Sequence, residues 1–245
     1  NKQTSFWNLT FYKKVSKVWH ILQYHIAKHF SPLVLTVSEY SKNEMVKVYH
    51  YNPSKVLVIG NGWEHFKRIA FDEQLKIKHP EYFERPYFFS LASLTPNKNF
   101  KWILKVAQKH PQYQFLIGGN ANIRAYGTDF QDDSIKNVKF LGYISDGEVK
   151  TLMKYCKAFI FPSFFEGFGI PPLEALSVGA SIIISNTTCL PEIFGKTAHY
   201  IDPYNVDVNL DEILSEPTVS PQKVLEKYTF ARFAKILHQK ICSKN

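Results

Sequence analysis

The sequence has 245 residues, of which 45% are hydrophobic and 16% aromatic, and this is enough apolar material for a sizeable core. No stretch approaches the ~20 consecutive apolar residues of a membrane-spanning helix. Three cysteines lie far apart, which favours a reducing compartment and argues against a disulfide scaffold or a zinc site. The first residue is Asn1, and no basic-then-apolar signal segment follows it. We therefore do not expect position 1 to be the natural start of translation.

Positive charge is concentrated in the first part of the chain. The 30 basic and 21 acidic side chains give a formal net charge of +9. Residues 1–55 hold eight of the lysines and only two glutamates. Such a segment suits nucleic acid, anionic lipid or a phosphorylated substrate, and a solvated lysine-rich surface explains it equally well. No zinc-finger or RNA-binding signature accompanies the charge, so we do not expect nucleic acid as a partner.

The first predicted element is a helix over about residues 9–30, where apolar side chains recur three and four positions apart. Short strands at 33–37 and 55–59 flank a second helix at 38–50. Residues 61–85 begin with Asn61-Gly62 and show no clean period, which predicts a connector.

Strands and helices then alternate through the rest of the chain. The predicted strands are 87–92, 113–117, 138–141, 158–161, 181–184 and 199–201. The predicted helices are 98–109, 145–156, 173–178 and a final group after residue 220. This alternation predicts an α/β protein with a parallel sheet. Ligands of such sheets bind beyond the carboxyl ends of the strands, so the loops after strands are the candidate site.

The loop after strand 158–161 carries two glutamates and a glycine turn. Gly167 and Gly169 permit positive φ and close approach of the backbone to a ligand. Their amides lead into a helix N-terminus, which favours an anion such as a phosphate. Seven residues separate Glu166 from Glu174, which lies about a turn into the helix and can point back toward the same ligand. A tight strand-to-helix turn without a ligand explains the same spacing.

The segment from Phe161 to Asp202 resembles the group 1 (family 4) retaining glycosyltransferases of GT-B fold. Their signature is E-G-F-G-x-P-x-x-E followed by A-x-x-x-G, and here it runs from Glu166 to Gly179. Other segments that match in order are Val37–Ser41, Asn61-Gly62, Pro96–Asn99, Phe140–Ile144, Leu190–Glu192 and Asp202-Pro203. The resemblance therefore covers nearly the whole chain.

The resemblance implies two Rossmann-like lobes. Residues 1–60 match the C-terminal part of the N-terminal acceptor lobe, and residues 61–85 match an interdomain connector. Residues 86–220 match the C-terminal nucleotide-sugar-binding lobe, and residues 221–245 match C-terminal helices that can cross back to the N-terminal lobe. In this family much of the N-terminal lobe precedes the region that matches residue 1. We therefore expect the chain to bind a donor better than it transfers sugar.

The family also implies roles for the residues that contact the donor sugar and its phosphates. Glu166 would lie over the donor sugar, with the amides of Gly167, Phe168 and Gly169 on the sugar hydroxyls and the phosphate. Lys98 would approach the pyrophosphate as a point charge. Glu166 and Lys98 are thus the implied catalytic residues.

The nucleoside half of the donor is matched by other residues. Glu174 would accept hydrogen bonds from the two ribose hydroxyls, an arrangement that suits the two oxygens of a carboxylate. The backbone near Tyr143 and Ile144 would pair with the base. Much of the family places an arginine where this sequence has Ser93 or Asn97, and Arg124 is a candidate substitute. Because the sequence contains no Asp-x-Asp, we expect a metal-independent reaction with no cofactor beyond the nucleotide-sugar co-substrate.

The implied function is transfer of a sugar, with retention, from a UDP- or GDP-linked donor to a saccharide or lipid-linked acceptor. We expect it in surface polysaccharide or glycolipid synthesis, in the cytoplasm and in peripheral contact with the inner membrane face. The alternative is a nucleotide-sugar-binding module, or an inactive fragment, without turnover. An epimerase or phosphorylase relative is a weaker alternative. A glycosidase is disfavoured, since its two carboxylates would flank one bond.

Overall fold

The computed structural model describes residues 11–91, 96–119 and 135–242, which divide into two compact units on either side of the Ile59–Gly60 bond. The first unit contains α1 (Phe11–Phe30), β1 (Val34–Thr36), α2 (Glu39–Tyr49) and β2 (Val56–Val58). β1 and β2 pair in parallel across the α2 crossover. Ser38 caps α2, because its hydroxyl accepts a hydrogen bond from the Ser41 amide at 3.0 Å.

Within the first unit, α1 exposes much of its apolar surface. Trp19 is 57% exposed and Phe30 is 82% exposed. Tyr24 holds α1 to the end of α2, since its ring stacks on Tyr49 at 4.5 Å and its carbonyl accepts a hydrogen bond from the Tyr51 hydroxyl. Among the described helices, including α1, none combines the length and the apolar character needed to cross a membrane.

The second unit is built on one parallel sheet. Its strands are β3 (Tyr87–Leu91), β4 (Gln114–Gly118), β5 (Val138–Gly142), β6 (Ala158–Phe161), β7 (Ile182–Ser185) and β8 (His199–Ile201). Its helices are α3 (Leu75–Lys78), α4 (Phe100–Lys109), α5 (Asp146–Tyr155), α6 (Ile170–Ser177), α7 (Leu190–Phe194), α8 (Leu210–Ser215), α9 (Gln222–Lys227) and α10 (Phe230–Cys242). The predicted α/β class with a parallel sheet is confirmed.

The order of the strands decides where a ligand can bind. The sheet reads β5-β4-β3-β6-β7-β8, so the chain runs from β3 out to one edge and returns beside β3 to run to the other. Phe88 of β3 lies opposite Ala158 of β6 at this reversal. Parallel α/β sheets bind ligands in the crevice at such a reversal of strand order, so the two loops that leave β3 and β6 are the candidate site.

Three local differences from the predicted elements have physical reasons. α6 begins at Ile170 and not at Leu173, because prolines fit the first turn of a helix, where N–H groups have no helical partner. α7, which begins at Leu190, lay unrecognised inside a short motif with its own early proline. The connector is not structureless, since it contains 3-10 turns at Glu64–Arg68 and Pro80–Tyr82 as well as α3.

Candidate functional site

The crevice between β3 and β6 brings together two charged residues that are far apart in sequence. Lys98 follows β3, and Glu166 follows β6. The Lys98 ammonium donates to Glu166 Oε1 at 2.7 Å, and the side chains are 22% and 13% exposed respectively. Lys98 Nζ also lies 4.7 Å from the centre of the Phe161 ring. Partial burial strengthens such a charge-assisted hydrogen bond, so the two side chains form an ion pair in which their charges balance.

Asparagines fix the loop that carries Lys98. The Asn97 carbonyl accepts from the Phe164 amide at 2.7 Å, and its side-chain amide donates to the Phe165 carbonyl at 3.2 Å. The next asparagine, Asn99, is buried with φ at +52°. This left-handed conformation is one that asparagine tolerates better than most residues.

Asn99 joins the ends of three strands at the crevice. Its side-chain amide donates to the carbonyl of Pro162, after β6, at 3.1 Å and to that of Pro203, after β8, at 2.8 Å. Sequence reasoning placed Asn99 in a motif but gave it no role. The available signal was an asparagine at a helix start, a residue type suited to left-handed backbone.

The glycine turn directly follows Glu166 in the sequence. Gly169 has φ at +95° directly before α6, and a Cβ there would lie 2.8 Å from Leu190 Cδ2. A side chain at this position would therefore meet both backbone strain and a clash. The Glu166 amide donates to the Thr188 hydroxyl at 3.3 Å, which ties the start of the turn to the β7–α7 loop.

The start of α6 offers fewer amide donors than the expected helix N-terminus. Pro171 and Pro172 occupy its second and third positions and have no N–H to offer. An anion here would depend on the amides of the turn and of Ile170. Phe168 contributes only backbone to this surface, because its ring is 4% exposed and packs edge-on against Tyr228 at 5.2 Å.

Glu174 on α6 has a partner that the sequence did not indicate. His65 Nε2 lies 2.8 Å from Glu174 Oε1, and the side chains are 46% and 13% exposed respectively. Burial raises the pKa of the Glu174 carboxyl, His65 lowers it, and the charge of Asp146 raises it. The net effect raises the pKa of Glu174, so ionisation of this carboxyl lowers the stability of the folded protein.

The remaining candidates occupy other places. Tyr143 is 82% exposed just after β5, whereas the Ile144 side chain packs so tightly on Gly118 that a Cβ on that glycine would lie 2.3 Å from it. Ser93 and Arg124 lie outside the described residues. The structure thus brings Asn97, Lys98 and Glu166 together in one cluster of loops. Glu174 lies elsewhere, in contact with His65, and Tyr143 lies at the end of β5.

Replacing Glu174 by glutamine is expected to stabilise the ligand-free protein at neutral pH. Because the folded pKa is raised, protonation of Glu174 favours folding, and this contribution is lost as pH rises through the raised pKa. Glutamine is neutral throughout, so its advantage should be present at about pH 7 and vanish below the ordinary carboxyl pKa of about 4.3. Urea unfolding of parent and Glu174→Gln at both pH values measures the difference.

Glu73→Gln is a matched control for that comparison, because Glu73 is an exposed carboxylate of the same unit. It should change the free energy of unfolding by less than about 0.5 kcal/mol. A Glu174→Gln variant less stable than the parent at neutral pH would show that the contact with His65 outweighs the cost of burial.

Comparison with known families places the chain in one of them. The family model described as glycosyl transferases group 1 matches residues 71–216, which is more than half of the chain. The chain therefore belongs to the group 1 glycosyltransferase family. The matched segment contains both loops of the crevice.

Individual relatives agree with this family. O-antigen chain mannosyltransferase B of Escherichia coli is 26% identical over 203 residues, which cover 78% of this chain and 52% of the relative. An uncharacterised glycosyltransferase of Methanocaldococcus jannaschii is 28% identical over 91% of this chain and 63% of its own length. The chain thus spans between half and two-thirds of these two relatives.

Solved structures show the same architecture. Sucrose-phosphate synthase from Thermosynechococcus elongatus has a TM-score of 0.74 at 14% identity, covering 94% of this chain and 63% of that one. Anabaena HepE in complex with UDP and glucose has a TM-score of 0.76 at 16% identity, covering 91% and 66% respectively. Both likenesses show the fold, and the predicted GT-B type is confirmed.

Proposed function

We propose that this protein transfers a sugar from a nucleoside diphosphate sugar to a saccharide or lipid-linked acceptor with retention of the anomeric configuration. The Lys98–Glu166 pair carries the proposal. A lysine and a glutamate from loops after adjacent strands meet at 2.7 Å in the crevice where ligands of such sheets bind. The lysine ammonium suits a diphosphate, and the glutamate carboxylate suits the hydroxyls of a sugar.

In the proposed reaction the bond between the anomeric carbon and the diphosphate oxygen breaks first. Lys98 balances charge on the departing diphosphate, helped by the amides of the Gly167–Gly169 turn and without a metal. Glu166 accepts hydrogen bonds from the sugar hydroxyls. The departing phosphate oxygen takes the proton of the acceptor hydroxyl, which bonds to the anomeric carbon on the same face. Glu174 holds the ribose, and the backbone at Tyr143 and Ile144 pairs with the base.

The relatives suggest the chemical class of donor and acceptor. Several carry the name mannosyltransferase, in O-antigen chain synthesis in Escherichia coli and Salmonella typhimurium. HepE structures contain UDP or UDP-glucose. A UDP- or GDP-linked hexose and a growing surface polysaccharide or glycolipid are therefore the first candidates. The basic N-terminal segment suits a site at the cytoplasmic face of the membrane, in peripheral contact with anionic lipid.

A thermal-shift panel of UDP, GDP, ADP and their hexose conjugates tests the proposal. Ligand at a hundred times its Kd should stabilise the protein by about 2.7 kcal/mol by mass action. The corresponding nucleoside monophosphates are the matched control, since they lack the phosphate assigned to Lys98 and should shift the melting temperature less. A flat response to every diphosphate would contradict the proposal.

Transfer itself is then measured with the nucleotide sugar that binds, as radiolabelled donor, and a membrane extract as the source of acceptors. Incorporation of label by the full-length protein supports the transferase. Binding without incorporation across the panel would support a nucleotide-sugar-binding module instead.

A further inference from the structure

The contact between His65 and Glu174 joins residues 109 positions apart. A carboxylate can only accept, so Nε2 of His65 must carry the proton in this contact. Glu174 is the more buried partner, and its carboxylate lies where burial opposes ionisation. A hydrogen bond from a fixed donor limits the orientations of such a carboxylate.

His65 is itself held on several sides. Its ring lies 6.4 Å from that of Phe66 and 6.0 Å from that of Phe230. The carboxylate of the preceding residue, Glu64, accepts from the Phe230 amide at 2.9 Å, at the first residue of α10. The 3-10 turn that carries His65 is thus tied to the start of α10.

We propose that His65 is a positioning residue that orients the Glu174 carboxylate to accept both ribose hydroxyls of the donor nucleotide. The inference rests on the proposed function, which assigns the ribose to Glu174. Glu174 Oε1 accepts one hydrogen bond from His65. A carboxylate has further lone pairs on both oxygens, and these can accept the two hydrogen bonds from the ribose diol. A preoriented carboxylate loses less rotational freedom on binding, so the contact increases affinity for a ribonucleotide without touching it.

The test compares UDP and GDP with their 2′-deoxy counterparts by calorimetric titration of the full chain. His65→Ala should weaken binding of the ribonucleotide by about tenfold, the equivalent of 1.4 kcal/mol, and that of the deoxynucleotide by about twofold at most. A merely structural role would weaken both equally. His65→Gln places an amide donor near the position of Nε2 and should restore most of the discrimination.

His79→Ala is a matched control, because His79 is a similarly exposed histidine that lies 3.3 Å from its own glutamate, Glu81. It should leave both affinities unchanged. Glu174→Ala, which removes both carboxylate oxygens, should remove the preference for ribose altogether.

The outcomes separate this inference from the function beneath it. If Glu174→Ala loses ribose discrimination but His65→Ala keeps it, His65 is not a positioning residue and the inference is wrong. If Glu174→Ala also keeps it, or no diphosphate binds the parent, the donor assignment is wrong and so is the inference that rests on it.

Discussion

Lys98→Ala and Glu166→Ala should both strongly lower sugar transfer while changing nucleotide affinity in opposite directions. Lys98→Ala should lower transfer by about 10²- to 10³-fold, the usual effect of losing one preorganised donor to a developing anion, and should weaken binding of the nucleoside diphosphate. Glu166→Ala should abolish transfer but keep or strengthen diphosphate binding. Transfer assays and calorimetry on the same preparations measure both effects.

The opposite effects on affinity follow from the ion pair between Lys98 and Glu166. The Glu166 carboxylate lies 2.7 Å from the Lys98 ammonium, so an incoming diphosphate competes with that carboxylate for the same cation. Removing Glu166 frees the ammonium and removes a negative charge that repels the diphosphate. Removing Lys98 instead leaves Glu166, which is 13% exposed, without its counter-charge and facing another anion.

Lys101→Ala is the control, because Lys101 is exposed on α4 shortly after Lys98 and tests only the loss of a positive charge. It should change neither transfer nor affinity appreciably. Near-normal turnover in Glu166→Ala would contradict the assignment of Glu166 to the catalytic site. Weaker diphosphate binding in Glu166→Ala would show that the pair acts as a unit and not as competing charges.

Local pattern was enough to predict the layers of this fold and the glycine turn. The apolar run Ala158–Phe161 and the following Gly167–Gly169 are contiguous, so spacing alone located a strand, a turn and a helix. Lys98 was predicted from the resemblance of Pro96–Asn99 to a family motif, and the structural role of that motif is visible only in three dimensions. Asn99 there ties together the loops after β6 and β8, which no local period reveals.

Contacts that join distant segments could not be predicted from periodicity. His65 lies in a stretch without a clean period, and nothing near it in sequence points to Glu174. Phe168 sits inside the predicted donor motif, yet its ring is buried by Tyr228 from the C-terminal part of the chain. The sequence of α6 contains two prolines, but only its observed start shows that they remove amides from the end that was expected to bind an anion.

Lys150 contacts the turn that carries His65 from α5. It is 7% exposed on α5, and its ammonium donates to the carbonyls of Phe66 at 2.8 Å and Ile69 at 2.6 Å. The same ammonium lies 4.8 Å from the centre of the Phe71 ring. These contacts hold the turn that carries His65 against α5, within the second unit. A buried ammonium is costly unless it is satisfied in this way.

Lys150→Met should therefore lower the free energy of unfolding by about 1–3 kcal/mol, because methionine keeps the apolar stem but leaves the Ile69 carbonyl without its donor and the Phe66 carbonyl with only the Ile69 amide, at 3.4 Å. Lys154→Met, on the exposed face of the same helix, should change it by less than about 0.5 kcal/mol. Urea unfolding measures both. Since the loosened turn carries His65, Lys150→Met should also lose preference for UDP over its deoxy form. Unchanged stability would mean that water satisfies the Ile69 carbonyl, and that the turn is held by its other contacts, such as the hydrogen bond from the Phe230 amide to Glu64.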